Sequence, residues 1–204
     1  MKLQSLCCIL ALALSSGIAR ADRLIWIPTA DISRPSIEYM TDPFGKRGVA
    51  TGQIGLGKQF ELLVRDYRNF GTSDMTEVGG QFTVLPEGFA TPGIAIGVWD
   101  VADNGPRGRR VFGVVSKSLP LVNKLPVGFH DIKVHAGVGS GQLSGVFLGG
   151  QAGFPFGFGI YGEYDARHFN AGLSWSPIGI VRLKAESWDG KLFVGAQLRS
   201  PVKL

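Results

Sequence analysis

The chain has 204 residues, 45% of them hydrophobic, with 30 glycines, 11 prolines and two cysteines. Its formal charge of +5 is spread along the chain, so no electrostatic footprint for nucleic acid is present. Both cysteines, Cys7 and Cys8, fall near the start, which leaves the rest with neither a disulfide framework nor a thiolate metal site.

The first element in chain order is a secretory signal. Lys2 gives a positive start, Leu6 to Leu14 is almost wholly apolar, and Ala19-Arg20-Ala21 is a small-x-small cleavage site. Cleavage there makes residues 1–21 a signal peptide and residues 22–204 one β-barrel domain. It removes Lys2 and Arg20, leaving 19 basic against 16 acidic residues. The cysteines sit too early, and lack the preceding small residue, for lipidation. The apolar run falls well short of the ~20 residues of a spanning helix, and no later run reaches that length. Membrane residence must therefore come from strands.

A short apolar lead, Leu24 to Ala30 with Pro28 inside it, comes next. From about Ser36 apolar residues alternate with polar residues or glycine, as in Val181-Arg182-Leu183-Lys184-Ala185-Glu186. A period of two marks strands with one apolar and one polar face. The pattern predicts twelve strands, near 36–42, 49–57, 60–69, 75–85, 93–101, 109–118, 129–139, 143–152, 157–166, 168–176, 180–188 and 191–199. All eleven prolines fall at or outside these bounds, because proline has no N–H to give a ladder. Connections such as Lys58-Gln59 and Asp189-Gly190 are short, which makes neighbours antiparallel. The exception is a polar, glycine-rich loop, Asp103 to Gly108. Glycine at this density permits the curvature and close backbone approach of a small barrel.

One face of these strands carries Phe60, Leu62 and Val64, then Val78, Phe82 and Val84, and continues through Val134, Leu173, Leu183 and Val194. The other carries Glu61, Arg65 and Tyr67, then Glu77, Gln81 and Thr83, and continues through Lys133, His135 and Gln197. A soluble sandwich buries the apolar face, whereas a membrane barrel turns it to lipid and pairs the charges inside. Alternation alone is silent between the two. The export signal, the even strand count and the glycine content favour the second: an all-β, antiparallel up-and-down transmembrane β-barrel of about 12 strands. On that reading Leu183→Arg should cost far more stability than Lys184→Gln.

Several short motifs occur in order: Ile27-Pro28-Thr29-Ala30, Ile94 to Asp100, Val114-Val115-Ser116-Lys117, His135 to Gly139, Glu163-Tyr164-Asp165, and Phe169 to Leu173. Their succession resembles the YjbH-type outer-membrane β-barrel family associated with exopolysaccharide production. The resemblance implies a non-enzymatic, porin-like barrel that assists exopolysaccharide export or envelope organisation, with room for a small pore. It implies membrane lipids, polysaccharide and envelope export proteins as partners, and neither a catalytic residue nor a cofactor. The chain is shorter than larger members and ends in Val202-Lys203-Leu204, where many outer-membrane barrels carry an aromatic. The competing reading is a soluble periplasmic barrel or sandwich that binds a lipid or glycan.

The densest chemistry is Glu163, Asp165 and Arg167 on one strand, with Arg182, Lys184 and Glu186 two strands on. Functionally they would line a selectivity filter or a sugar track. Structurally they would form a lumen charge network, which is favoured because charges out of bulk water must be paired. The two triplets are expected to face each other across an interior that holds a narrow channel or none.

Other motifs carry less. His130 and His135 are five residues apart and face opposite sides, so no shared metal is expected. His168 invites comparison with outer-membrane lipid A deacylases, which carry a histidine and a serine two positions apart, but position 170 is Asn170. Gly137 to Gly141 lacks the lysine and helix of a phosphate loop. The four tryptophans and four tyrosines lie mostly near strand ends, which suits an interfacial girdle and interior packing equally.

Overall fold

The computed structural model describes residues 24–71, 74–119 and 130–201. The predicted signal peptide, residues 1–21, and residues 202–204 lie outside the described residues. Within them are twelve strands: β1 (Ser36–Thr41), β2 (Gly48–Leu56), β3 (Phe60–Arg68), β4 (Met75–Leu85), β5 (Gly93–Trp99), β6 (Arg110–Ser118), β7 (His130–Gly139), β8 (Gly145–Gly153), β9 (Phe158–Tyr164), β10 (Phe169–Ile178), β11 (Val181–Trp188) and β12 (Lys191–Arg199). Each predicted strand end lies within two residues of the observed one. Every strand pairs antiparallel with its sequence neighbours, and β1 pairs with β12 to close the barrel.

One proline departs from the expected placement. Pro177 lies inside β10, where the register with β11 shifts between Trp175 and Ile178 and pairing with β9 has already ended at Trp175. An irregular strand end asks no ladder hydrogen bond of residue 177, so proline is tolerated there.

The barrel is inside out relative to a soluble core. In β3, Val64 is 45% exposed while its neighbour Arg65 is 3% exposed. Leu62, Val78, Val84, Leu173, Leu183 and Leu198 share the outer surface, whereas Glu61, Glu77, Gln81, His135, Arg182 and Glu186 are buried. The apolar face is therefore the outer one. Val64 is the middle residue of β3, opposite Gly52 and Val78. With the barrel in a bilayer, Val64→Arg is expected to cost about 2–4 kcal/mol, read by equilibrium unfolding in lipid vesicles. A cost near zero would mean that this surface meets water.

The interior is filled by the apolar lead itself. Leu24, Ile25, Trp26, Ile27 and Ala30 are buried and pack with Tyr67, Trp99, Phe112, Phe147, Trp188 and Phe193 into the hydrophobic core. Five of the eight tryptophans and tyrosines (Trp26, Trp99, Trp188, Tyr67 and Tyr161) are thus interior packing, while Trp175, Tyr39 and Tyr164 are exposed. Close approach inside is bought with glycine at one telling position. Tyr161, Gly172 and Glu186 are register partners across β9, β10 and β11. The Tyr161 ring lies over Gly172, where a Cβ would collide with it, and its hydroxyl reaches Glu186 at 2.5 Å.

Candidate functional site

β1 starts and β12 finishes at one end of the barrel, where Ser36 stands opposite Arg199. The β1–β2, β3–β4, β5–β6, β7–β8, β9–β10 and β11–β12 connections gather at the opposite, loop end. Residues 24–33 have no ladder to satisfy their backbone, so polar side chains of the wall must do it. Glu163 of β9 accepts from the backbone N–H groups of Trp26 at 2.7 Å and Ile27 at 3.2 Å. Ser116 of β6 accepts from Ala30 N–H at 2.8 Å, and its Oγ lies 2.7 Å from His135 Nδ1. Glu61 of β3 accepts from Ser33 N–H at 2.6 Å, Gln81 of β4 donates to the Asp31 carbonyl at 2.8 Å, and Lys133 of β7 pairs with the Asp31 carboxylate at 2.6 Å. The segment is stitched to β3, β4, β6, β7 and β9, as a plug.

A second network holds the wall together behind it. Glu77 of β4 pairs with Arg65 of β3 at 3.4 Å and Arg110 of β6 at 2.5 Å, and accepts from the Tyr67 hydroxyl at 2.9 Å. Both guanidiniums lie over the Trp99 ring, at 5.0 and 5.3 Å. Sequence reasoning did not single out these residues. Arg65 and Glu77 stand directly opposite in the β3–β4 pair, which was a usable signal. Arg110, at the start of β6, had none.

The six charges predicted as one lumen network are divided. Glu163, Asp165, Arg182 and Glu186 are buried, and the Lys184 side chain is 7% exposed. Arg167 is not in the lumen: β9 ends at Tyr164, Ala166 turns at φ 71°, and Arg167 is exposed on the β9–β10 turn. Glu163 holds the plug. Lys184 sits between Glu38 at 2.9 Å and Glu186 at 2.6 Å, and Glu186 also accepts from Trp188 Nε1 at 2.6 Å. Lys184→Gln would leave buried Glu186 and partly buried Glu38 without their cation, so its expected cost is larger than that of an exposed polar exchange. Arg182 Nε donates to Ser176 Oγ at 3.4 Å.

Asp165 belongs to the loop end. Arg107, from the β5–β6 loop, donates to Asp165 at 2.8 Å and to Asp189 at 3.0 Å, and its guanidinium lies 4.1 Å from the Trp26 ring. Burial works to raise the Asp165 pKa, but Arg107 and the N–H groups of His168 and Arg167 outweigh it and hold the carboxyl below its ordinary range. A lowered folded pKa contributes stability that is present above the ordinary aspartate range and lost as pH falls through the lowered value. Acidification should therefore lower the amide-exchange protection factors of His168 and Arg167, taken against the intrinsic rate at each pH, and Asp165→Asn should show no such pH response. Asp165, His168 and Asp189 bring ligand atoms within 4.8 Å of one another, but Arg107 already bridges the two carboxylates. His168 lies on the turn, 3.3 Å from Asp189, while buried Asn170 donates to Glu163 at 3.2 Å and accepts from Asp189 N–H at 2.9 Å, so the two residues serve different surroundings.

The remaining space is unevenly distributed. The cavity beside the plug, lined by Leu24, Ile25, Arg65, Lys184 and Glu186, measures about 30 Å³, on the order of one water. At the loop end a vestibule of about 380 Å³ opens. Trp26, Tyr67, Phe70, Trp188 and Phe193 supply its aromatic lining, and Arg47, Arg107, Arg167 and Lys191 its cations.

A closed, twelve-stranded antiparallel barrel with its charges inside is a porin-like fold. The chain is similar to a solved KdgM porin in complex with disordered oligogalacturonate, with a TM-score of 0.54 and 14% identity over 81% of this chain and 99% of the porin chain. That likeness shows the fold. No protein-family profile matches the sequence, and no curated protein matches it.

Proposed function

We infer that this protein is a non-enzymatic outer-membrane β-barrel, closed at rest by its N-terminal segment, that assists exopolysaccharide export or envelope organisation. The observation that carries the membrane reading is the inverted polarity: apolar side chains from every part of the barrel face outward around a charged, hydrogen-bonded interior. Soluble monomers rarely expose contiguous apolar patches beyond a few hundred Å². A freely soluble periplasmic barrel would leave this whole belt in water.

The polysaccharide role is supported by the ordered motifs that resemble the YjbH-type family. It is also supported by the fold shared with a porin whose solved complex contains an oligogalacturonate. Membrane lipids, and polysaccharide with its envelope export proteins, are the partners this reading calls for. Carbonate washing should leave the protein in the outer-membrane fraction, and unboiled samples should migrate faster than boiled ones, because a closed barrel resists detergent. Recovery as a soluble periplasmic species would overturn the reading. Loss of the gene should lower secreted polysaccharide, and unchanged secretion would overturn that part alone.

A further inference from the structure

The outward apolar belt carries a notch. Leu198, Ile37, Gly52 and Val64 are successive register partners across β12, β1, β2 and β3. Three of them put exposed apolar side chains on the outer surface. Gly52 puts none there, and nothing lies within 4 Å of the position its Cβ would take. With Ile54 and Leu62, these residues line an apolar groove of about 700 Å³. The row climbs through the belt: Leu198 is next to last in β12 and Ile37 second in β1, whereas Gly52 and Val64 are the middle residues of β2 and β3. The groove therefore runs from the terminal edge of the barrel, where Pro35 and Pro201 also line it, to mid-belt. A spanning strand crosses the whole hydrocarbon core, so that run is the depth of one leaflet. Two cations stand at the terminal edge. Arg34 precedes Pro35, and its guanidinium donates to the Pro201 carbonyl at 3.3 Å. Lys58 is exposed on the β2–β3 turn, which the Leu56–Phe60 pair closes next to Ile54 and Leu62. Neither cation has a carboxylate partner among the described residues. The acids nearest them in the chain are already engaged, Asp31 with Lys133 and Glu61 with Ser33 N–H.

We propose that this groove binds one anionic glycerophospholipid, an acyl chain lying along the Leu198–Val64 row over Gly52 and the headgroup phosphate held by Arg34 and Lys58. The proposal rests on the membrane reading above, because only a barrel in a bilayer meets acyl chains along this face. The chain fills a gap that the neighbouring side chains leave open, and its length is set by one leaflet, as the groove's is. The phosphate supplies the charge that the edge lacks, and charge-assisted hydrogen bonds are about twice as strong as neutral ones. A zwitterionic lipid brings its own cation to the phosphate and leaves less for Arg34 and Lys58 to answer. A second copy seated here about a two-fold axis would present the same patch, and so bring both sets of these cations to one edge of the contact with no acid between them.

The test uses the full mature barrel folded in detergent, titrated with dioleoyl phosphatidylglycerol and with dioleoyl phosphatidylcholine and followed by native mass spectrometry. One phosphatidylglycerol should bind per barrel, about tenfold tighter than phosphatidylcholine. Gly52→Phe fills the notch and should weaken that binding about tenfold. Gly113→Phe adds the same ring at another outward glycine with open space above it, and should leave binding unchanged. Arg34→Gln combined with Lys58→Gln should abolish the preference for phosphatidylglycerol. Heat-dependent gel mobility shows that each variant is folded. Equal binding of the two lipids, a folded Gly52→Phe barrel that binds as the wild type does, an equal loss in Gly113→Phe, or a double variant that keeps the preference would each overturn the site. So would a dimer that forms without added lipid and that Gly52→Phe splits. The membrane reading fails separately: a protein released by carbonate that still takes up phosphatidylglycerol in detergent keeps this site and loses that reading, and a retained barrel indifferent to phosphatidylglycerol does the reverse.

Discussion

Deleting residues 24–33 should turn an electrically silent barrel into one with steady single-channel conductance in planar bilayers. The segment fills the interior so closely that the cavity beside it measures about 30 Å³. Eight-stranded barrels are just filled by their own side chains, and 16 strands leave a channel, so twelve strands enclose space that extra chain can occupy. Here that chain is the apolar lead, tied by its backbone to Glu163, Ser116 and Glu61. Removing it leaves the wall charges to water. It also removes Leu24, Ile25, Trp26 and Ile27 from the core, so the variant should be less stable, and its heat-dependent mobility serves as the folding control. Glu163→Ala is the milder version: it removes the acceptor of two plug amides and should produce brief openings. A wild-type protein with large, steady conductance, or a folded deletion variant that stays silent, would refute the plug.

Glu77→Ala should destabilise the fold by about 3–5 kcal/mol, the cost of breaking a buried ion pair by removing one partner. Glu77 is fully buried, and its carboxylate pairs with both Arg65 and Arg110. Cation–π contact with Trp99 orients both arginines but does not neutralise them. Replacing Glu77, Arg65 and Arg110 together by apolar residues of similar volume should cost much less than Glu77→Ala, because no buried charge is then left unpaired. Urea unfolding in lipid vesicles measures both. Equal losses would mean that packing, and not charge pairing, is what Glu77 provides.

Strand identity and face are local properties, and both were legible in the sequence. A period of two survives from Gly48 to Arg199, so strand ends were placed within two residues and Val64 was separated from Arg65 before any tertiary information. Pro177 escaped because a bulge is set by pairing with β11, not by composition. Which charge meets which is another matter. Arg107 and Asp165 are 58 residues apart, and Glu38 and Lys184 are 146 apart. Their meeting depends on the closure and stagger of the barrel, which alternation does not encode. The six predicted charges therefore shared a face on paper, while the fold sends Arg167 to the mouth, Glu163 to the plug, and Lys184 to Glu38. The plug itself was invisible for a related reason. Leu24 to Ala30 has no period and carries Pro28, so in sequence it is only an apolar lead. It becomes the core because a closed wall of twelve strands leaves an interior to fill, and its unladdered backbone finds acceptors only among the buried side chains there.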